Sequence, residues 1–209
     1  MTVVSAAEEG AIARAIAMVQ GGRLVVIPTD TSYAVIADAF HAGAITHLRI
    51  AKKQAEDVAL PIAAGSIETI RGVAVLGDIA SDIAAAFWPG ALTILTSPQA
   101  SLSWSIGASD SALAVRIPNN DVALQILTGI GPTVMTGAQQ AGQAPITTIE
   151  QAQASLGDAV ALYVDGGELS GAVSSVLDMT GAHLRLLREG QLTLAALREI
   201  APMIVKATG

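Results

Sequence analysis

Cysteine is absent from this chain of 209 residues, and aromatic residues make up only 3% of it. The lack of cysteine excludes disulfide bonds, thiolate nucleophiles and cysteine-ligated metal centres. Charged residues are scarce too, at 14%, but the 52% share of hydrophobic residues excludes a disordered chain. No apolar run reaches the roughly 18 residues of a membrane span, and the N-terminus does not resemble a signal peptide. We therefore expect a cytoplasmic protein, a single domain over residues 1–209 without an additional C-terminal domain.

The net charge of −7 comes from 11 lysines and arginines against 18 aspartates and glutamates. Nucleic-acid binding depends on clustered cations, so this balance disfavours a broad RNA-binding surface, although it permits a small anion-binding site. The three histidines, His41, His47 and His183, do not have the spacing of metal ligands, and we predict no metal-binding residues. Because so few residues carry charge, some apolar surface is left that a homodimer could cover.

Helical patterns of apolar residues recur along the chain. Ser5 and Glu8 have the spacing of a capping box, and the apolar stripe that follows ends at Gly21–Gly22, which predicts a first helix there. Further helices are predicted over residues 42–53, 78–87, 121–128, 149–155 and 193–200. Asn120 and Thr148 each precede one of these segments and are predicted N-caps.

Short apolar runs alternate with these helices and predict strands. They lie at residues 24–27, 91–96, 112–117, 132–136, 160–164, 174–179 and 184–188. This order predicts an α/β fold with a mixed sheet flanked by helices. Neither a G-x-G-x-x-G fingerprint nor a P-loop follows the first strand, which excludes a standard dinucleotide-binding fold and a P-loop enzyme.

The polar segment PTDTSY at residues 28–33 follows the first predicted strand. Ligands of open α/β sheets bind outside the carboxyl ends of strands, so these hydroxyl and carboxyl groups could bind a small polar substrate. A polar turn that caps itself through Thr and Asp side chains is the other interpretation. The corner FWPG at residues 87–90 is predicted to have a structural role.

The few cations are candidates for anion binding. Lys52 and Lys53 are adjacent near the end of a predicted helix, where they could also complement the helix dipole. Arg116 lies within an apolar strand and therefore needs an acidic partner or an anionic ligand. Arg188 poses the same question, although the neighbouring Glu189 could neutralise it.

Eight segments in register resemble the YrdC-like family, the threonylcarbamoyl-AMP synthases, over about residues 10–192. They are PTDTSYAV at 28–35, AKKQAEDVALPI at 51–62, FWPGALTIL at 87–95, LAVRIPNN at 113–120, PTVMTGAQQAGQAP at 132–145, VDGG at 164–167, SSVLD at 174–178 and LLREG at 186–190. The resemblance implies a twisted mixed sheet, flanked by helices, around a concave electropositive cavity.

The resemblance also implies a reaction. In this family threonine and bicarbonate give a carbamate, which attacks the α-phosphate of ATP and yields threonylcarbamoyl-AMP and pyrophosphate. ATP is then a substrate, Mg²⁺ is expected with it, and the adenylate is used by the tRNA-modification machinery on an adenosine beside the anticodon.

Site residues follow from the matched motifs. The resemblance implies catalytic roles for Lys52 and Thr31. Substrate contacts are implied for Thr31, Tyr33, Lys52, Thr136 and Ser175. Nucleotide contacts are implied for Lys53, Arg116, Ala138, Gln139, Ser174 and Arg188.

Several motif positions depart from the family. Gln54 replaces the arginine of Lys-x-Arg, and Val58 begins the pair that replaces the following Lys-Pro, although Lys53 could compensate for the lost charge. The motif Ser/Thr-Ser-Ala-Asn-x-Ser-Gly reads TGAQQAG at 136–142. Gly137 and Ala141 therefore lack two hydroxyl groups, and Gln139 is one methylene longer than asparagine.

These departures leave two other functions open. A conserved scaffold with an altered site also fits a diverged paralogue that binds nucleotide or acts on another small amine or carbamoyl compound. The Tyr-Ala-Val form of the first motif is similar to the YciO branch of the superfamily. A non-catalytic module for double-stranded RNA is the third possibility, which the net charge disfavours.

Overall fold

The computed structural model describes residues 1–102, 104, 106–107 and 112–207. Within these residues, eleven strands form one mixed sheet in the order β1-β8-β2-β3-β7-β4-β6-β5-β9-β10-β11. The strands are β1 Thr2–Ser5, β2 Val25–Ile27, β3 Ala34–Asp38, β4 Ile62–Ala63, β5 Leu92–Thr96, β6 Leu113–Arg116, β7 Thr133–Gly137, β8 Leu162–Asp165, β9 Ser175–Asp178, β10 Arg185–Arg188 and β11 Val205–Lys206. The predicted fold, a mixed sheet flanked by helices, is confirmed.

Helices cover both faces of this sheet. They are α1 Ala11–Gln20, α2 Ala42–Lys52, α3 Ile67–Val73, α4 Asp78–Phe87, α5 Asp121–Ile130, α6 Ile149–Leu156 and α7 Leu194–Ile200. Strand β2 shows why the apolar runs are continuous. Val26 faces the larger core, whereas Val25 and Ile27 face a second core beneath α1 and α5. All three side chains are buried because successive residues of a strand point to opposite faces.

The N-caps predicted for α5 and α6 are confirmed. Asn120 Oδ1 accepts a hydrogen bond from Ala123 N at 3.0 Å, and Thr148 forms a capping box with Gln151. At α7, Thr193 Oγ1 accepts from the backbone in the same way. These polar side chains satisfy N–H groups that have no partner within the helix.

The predicted capping box at Ser5 and Glu8 is wrong. Ser5 ends β1 and pairs in parallel with Asp165 of β8, and Glu8 instead binds Arg14 at 3.2 Å. Helix α1 begins after Gly10, whose φ of 80° is a conformation that glycine adopts without strain. Strands β1, β3, β4 and β11 and helix α3 were not predicted.

The turn at residues 28–33 connects the antiparallel strands β2 and β3. Strand β3 pairs on its other side with β7 along its full length, from Ala34 opposite Gly137 to Asp38 opposite Thr133. The FWPG corner is structural, as predicted, because Trp88 Nε1 donates to Leu92 O at 2.7 Å. These connections place the polar turn, the end of β7 and the start of β5 around one cavity.

Candidate active site

A cavity of about 410 Å³ opens on one side of the sheet. Its wall consists of the turn at 28–33, parts of β4, β5, β6, β7 and β9, residues 172–174 and the end of β10. Six of the predicted site residues line it: Thr31, Arg116, Thr136, Gln139, Ser174 and Arg188. The structure thus brings together side chains from distant parts of the sequence.

Thr29 organises the polar turn. Its buried Oγ1 donates to Ser32 O at 2.7 Å and accepts from the backbone N–H groups of Thr31 and Ser32, each at 3.2 Å. Thr29, Thr31 and Ser32 also line the cavity. The interpretation as a turn that caps itself is confirmed. Binding of a small polar substrate by this segment stays a prediction, and its lining of the cavity is compatible with it.

Arg116 has the acidic partner that its position requires. Its guanidinium donates to Asp30 Oδ1 at 2.7 Å, to Gly90 O at 3.0 Å and to Thr31 Oγ1 at 3.4 Å. Burial lowers the pKa of Arg116 and Asp30 opposes this change, while the positive charge of Arg188 lowers the pKa further. The guanidinium remains charged at physiological pH.

Arg188 lies on the same wall, and no carboxylate of the described residues pairs with it. It donates to Ser174 O at 2.9 Å and to Ser174 Oγ at 3.0 Å, and Thr93 Oγ1 lies 3.0 Å from the same hydroxyl. The suggestion that Glu189 neutralises Arg188 is wrong, because Glu189 binds Lys206 at 2.9 Å. The described cavity wall therefore carries two guanidinium groups, of which Arg116 is paired with Asp30, and this arrangement favours an anionic ligand.

Lys52 is buried behind the cavity wall. Its Nζ donates to the carbonyl oxygen of Gly137 and, at 2.7 Å, to that of Gln139. Burial lowers the pKa of Lys52 to about 8. The described contacts make Lys52 a positioning residue for the end of β7, whereas the resemblance implies contact with substrate.

Lys53 and Gln54 do not line the cavity. Both face a separate hollow of about 560 Å³ at the end of α2. Lys53 is the C-cap of α2, with a positive φ of 51°. It therefore does not replace the family's missing arginine at the cavity wall.

Tyr33, Ala138 and Ser175 are also buried outside the lining of the cavity. Tyr33 Oη donates to Gly167 O at 2.7 Å, and burial raises the pKa of Tyr33 to about 12. Ser175 Oγ donates to Leu192 O at 2.6 Å and accepts from two backbone N–H groups. Ligand contacts implied for these residues have no support in their geometry.

Three lining residues with polar side chains were not predicted as individual site residues: Thr29, Ser32 and Thr93. Thr29 and Ser32 lie in the polar turn that was singled out as a segment. Thr93 is a polar residue in the apolar run of β5, with half-buried and buried positions alternating along it. Such an alternation predicts which side chains share a face, but not what that face contacts.

Within the described residues no group of three histidine, aspartate or glutamate side chains could hold a metal ion. No described helix is both long and apolar enough to span a membrane. Three of the eleven cations, Arg49, Lys52 and Arg116, are buried, which further reduces the charge available to an RNA backbone.

The fold and the cavity define an α/β protein with two arginines on one cavity wall, and comparison with known proteins assigns it to a family. The Sua5/YciO/YrdC family model, described as "Telomere recombination", matches residues 17–190. A Mycobacterium leprae relative, provisionally named a threonylcarbamoyl-AMP synthase, is 36% identical over 92% of this chain and 89% of its own. The chain belongs to the Sua5/YciO/YrdC family.

Two further relatives agree with this assignment. The crystal structure of Sua5 from Pyrococcus abyssi complexed with L-threonine superposes with a TM-score of 0.92 at 28% identity, covering 99% of this chain and 63% of that one. The threonylcarbamoyl-AMP synthase of Bacillus subtilis is 31% identical over 87% of this chain and 54% of its own. Escherichia coli YciO, at 18% identity and a TM-score of 0.84, shares the fold.

Proposed function

We propose that this protein forms threonylcarbamoyl-AMP and pyrophosphate from threonine, bicarbonate and ATP. The observation that carries the proposal is the cavity wall, which Arg116 and Arg188 both line, whereas Asp30, the ion-pair partner of Arg116, is not among the described lining residues. Relatives that cover most of this chain are named for this reaction, and one was crystallised with L-threonine. The charge and the hydroxyl groups of the cavity suit a triphosphate and a small polar amino acid.

The reaction balances in two steps. The threonine amine attacks the carbon of bicarbonate, water leaves and a carbamate forms. A carbamate oxygen then attacks the α-phosphorus, and the bond to the bridging oxygen of pyrophosphate breaks. Negative charge builds on the phosphates during this displacement, so the guanidinium groups of Arg116 and Arg188 stabilise the transition state.

The remaining roles follow from position. Ser174 lies between Arg188 and Thr93, so its hydroxyl is the donor nearest to phosphates bound there. Thr31, in the turn between β2 and β3, and Thr136, on β7, both line the cavity. We assign them to binding of the substrate threonine. Lys52 acts through the backbone of Gly137 and Gln139.

Mg²⁺ is proposed to enter with the nucleotide. Because the described residues form no acidic metal-binding group, the ion would be held mainly by the phosphates, as is common for Mg²⁺. The adenylate product would leave the cavity for the enzymes that modify tRNA adenosine beside the anticodon, in the cytoplasm.

The test is pyrophosphate release from ATP, Mg²⁺ and bicarbonate, measured with and without threonine, with the adenylate sought by mass spectrometry. Arg116→Ala should reduce threonine-dependent release by roughly 100-fold or more, because a phosphate-facing cation is lost. Arg71→Ala, on the exposed side of α3, is the matched control and should retain the wild-type rate.

Absence of threonine-dependent product would refute the proposal. If ATP then still raised the melting temperature, the diverged nucleotide-binding paralogue would replace it. Such a protein would retain the arginine wall, and the altered motifs around Gly137 and Gln139 would account for the lost reaction.

A further inference from the structure

The side chain of Gln139 folds back over Gly137 at the cavity wall. A Cβ atom on residue 137 would collide with Gln139 Oε1 and would lie 2.7 Å from Nε2 and 2.8 Å from Cδ. Real Cβ atoms essentially never approach other atoms so closely. The amide of Gln139 therefore occupies space that exists only because residue 137 is glycine.

The backbone around this amide is fixed from three sides. Lys52 donates to the carbonyl groups of Gly137 and Gln139. Ser155 Oγ donates to Ala138 O at 2.9 Å, and Ala138 N donates to Tyr33 O at 2.9 Å. Because the main chain is held, the position of the Gln139 amide depends on its own torsion angles and on the space above Gly137.

Gln139 Oε1 is buried, and no described residue donates a hydrogen bond to it. A buried acceptor without a donor loses its hydration without compensation, so such atoms in native proteins call for a partner. Gln139 itself lines the cavity, so its amide adjoins the space that a ligand would occupy. The atom thus points to a ligand group that carries an N–H or O–H.

Resting on the proposed function, we propose that the Gln139 amide binds the carbamate group of the carbamoylated amino acid and determines specificity for it. A primary amide offers an acceptor and a donor side by side, and a carbamate offers an N–H beside a carboxylate oxygen. The two groups can therefore form a pair of hydrogen bonds. The ionised phosphate groups of ATP offer no donor to Oε1, so this contact distinguishes the carbamate from them.

Gly137 and Gln139 form a matched pair in this arrangement. The family motif has serine and asparagine at these two positions, so this chain has lost a side chain at one and gained a methylene at the other. The longer amide occupies the space that the missing side chain leaves. The proposal therefore predicts that substitutions at the two positions are strongly coupled.

The experiment is a double-mutant cycle in the threonine-dependent pyrophosphate assay. Gln139→Ala should lower kcat/KM for threonine by roughly 10- to 100-fold, the range for one hydrogen bond to a charged group. Gly137→Ala should cause a loss of similar size, because its Cβ displaces the amide. The double variant should be no worse than either single variant, and the KM for ATP should stay within about twofold in all three.

The controls separate displacement of the amide from damage to the fold. Gln143→Ala removes an exposed glutamine four residues away that does not line the cavity, and it should keep the wild-type rate. Gly137→Ser combined with Gln139→Asn recreates the family pair and should recover most of the activity that Gly137→Ser alone loses. The melting temperature of Gly137→Ala should remain near that of the wild type, since the colliding atoms end a flexible side chain.

Three results would overturn the carbamate contact while leaving the proposed function intact: full activity in Gln139→Ala, additive losses in the double variant, or an effect on the KM for ATP in place of that for threonine. A wild-type protein without threonine-dependent release would refute the proposed function and the carbamate contact together.

Discussion

The carboxylate of Asp30 lies 2.7 Å from the guanidinium of Arg116, with both side chains largely withdrawn from water at 13% and 11% exposure. Asp30 belongs to the turn after β2 and Arg116 ends β6, so this ion pair joins the polar turn to the cationic wall. It also aims Arg116 at Thr31. Because Asp30 balances the charge of Arg116, the positive charge of Arg188 is the one that no described carboxylate balances at the cavity wall.

Asp30→Asn should destabilise the protein. The change leaves a buried guanidinium without its counter-charge, which typically costs about 3–5 kcal/mol when a buried pair is broken, and less here because asparagine still accepts a hydrogen bond. We expect a loss of about 1–3 kcal/mol in the free energy of unfolding, measured by urea denaturation.

Glu8→Gln provides the control for this ion pair. It removes the partner of Arg14, where both side chains are nearly half exposed, and such pairs contribute at most about 1 kcal/mol. Equal losses in Asp30→Asn and Glu8→Gln would contradict a structural role for the buried pair.

Lys52 should make stability depend on pH in the alkaline range. Its pKa is about 8 in the folded protein, against about 10.4 in an unfolded chain. Between these values the unfolded state binds more protons, so this residue makes the free energy of unfolding rise with pH. The wild type should gain stability relative to Lys52→Met as the pH is raised from 7.5 to 10.

Lys53→Met is the matched variant, because it removes the adjacent lysine and leaves Lys52 in place. It should show the same trend with pH as the wild type in the same denaturation series. If Lys52→Met and the wild type ran parallel from pH 7.5 to 10, the burial of a titrating Lys52 amine would be disproved.

Alanine substitutions at the neighbours Ser174 and Ser175 should affect different properties, activity at Ser174 and stability at Ser175. Ser175→Ala leaves the N–H groups of Gly190 and Leu192 and one carbonyl without their partner, which should lower the free energy of unfolding by about 1–3 kcal/mol. Ser174→Ala removes a hydroxyl from the cavity wall and should mainly lower kcat/KM. Thermal unfolding and the pyrophosphate assay on both variants check this, and reversed effects would contradict the assignment of Ser174 to the cavity.

Gly190 should not tolerate a side chain. A Cβ there would collide with Val173 O and would lie 2.7 Å from Ser174 C and 2.8 Å from Ser174 O, all of them backbone atoms. Gly190→Ala should therefore destabilise the protein by about 1–3 kcal/mol and disturb the contact between Arg188 and Ser174.

Gly72→Ala is the opposite case. A Cβ at this helical position meets nothing within 4 Å, so the substitution should stabilise the protein by about 0.5–1 kcal/mol through helix propensity. Comparable melting temperatures for Gly190→Ala and Gly72→Ala would show that the backbone can move away at residue 190.

The sequence predicted most elements that are well bounded by turn residues, but it missed the five-residue β3 as well as short elements such as β4 and α3. Strands such as β5 and β6 are apolar runs bordered by turn residues, so their existence follows from the pattern. Strand β4 has two residues and helix α3 has seven. The N-cap of α3 is Ser66, whose Oγ accepts a hydrogen bond from Thr69 N at 3.2 Å. Elements of this length are formed by pairing with distant segments, which no local pattern reveals.

At the site, the sequence predicts which polar and charged residues are present better than it predicts where their side chains point. Lys52 ends α2 and Lys53 is its C-cap with a left-handed backbone, so the two adjacent side chains point in different directions and only Lys52 faces β7. Which one does depends on how α2 packs. The same holds for Ser174 and Ser175, where alternation along the chain separates a cavity hydroxyl from a buried one.

The pairing of β1 with β8 has a consequence for synthesis. Thr2 to Ser5 align with Leu162 to Asp165, so β1 leaves the ribosome before its partner among the described strands, which lies about 160 residues later. At 5–20 residues per second, that partner emerges on the order of ten to thirty seconds afterwards. Strand β1 therefore remains without this partner during that interval, and this edge of the sheet is completed only after β8 has been synthesised.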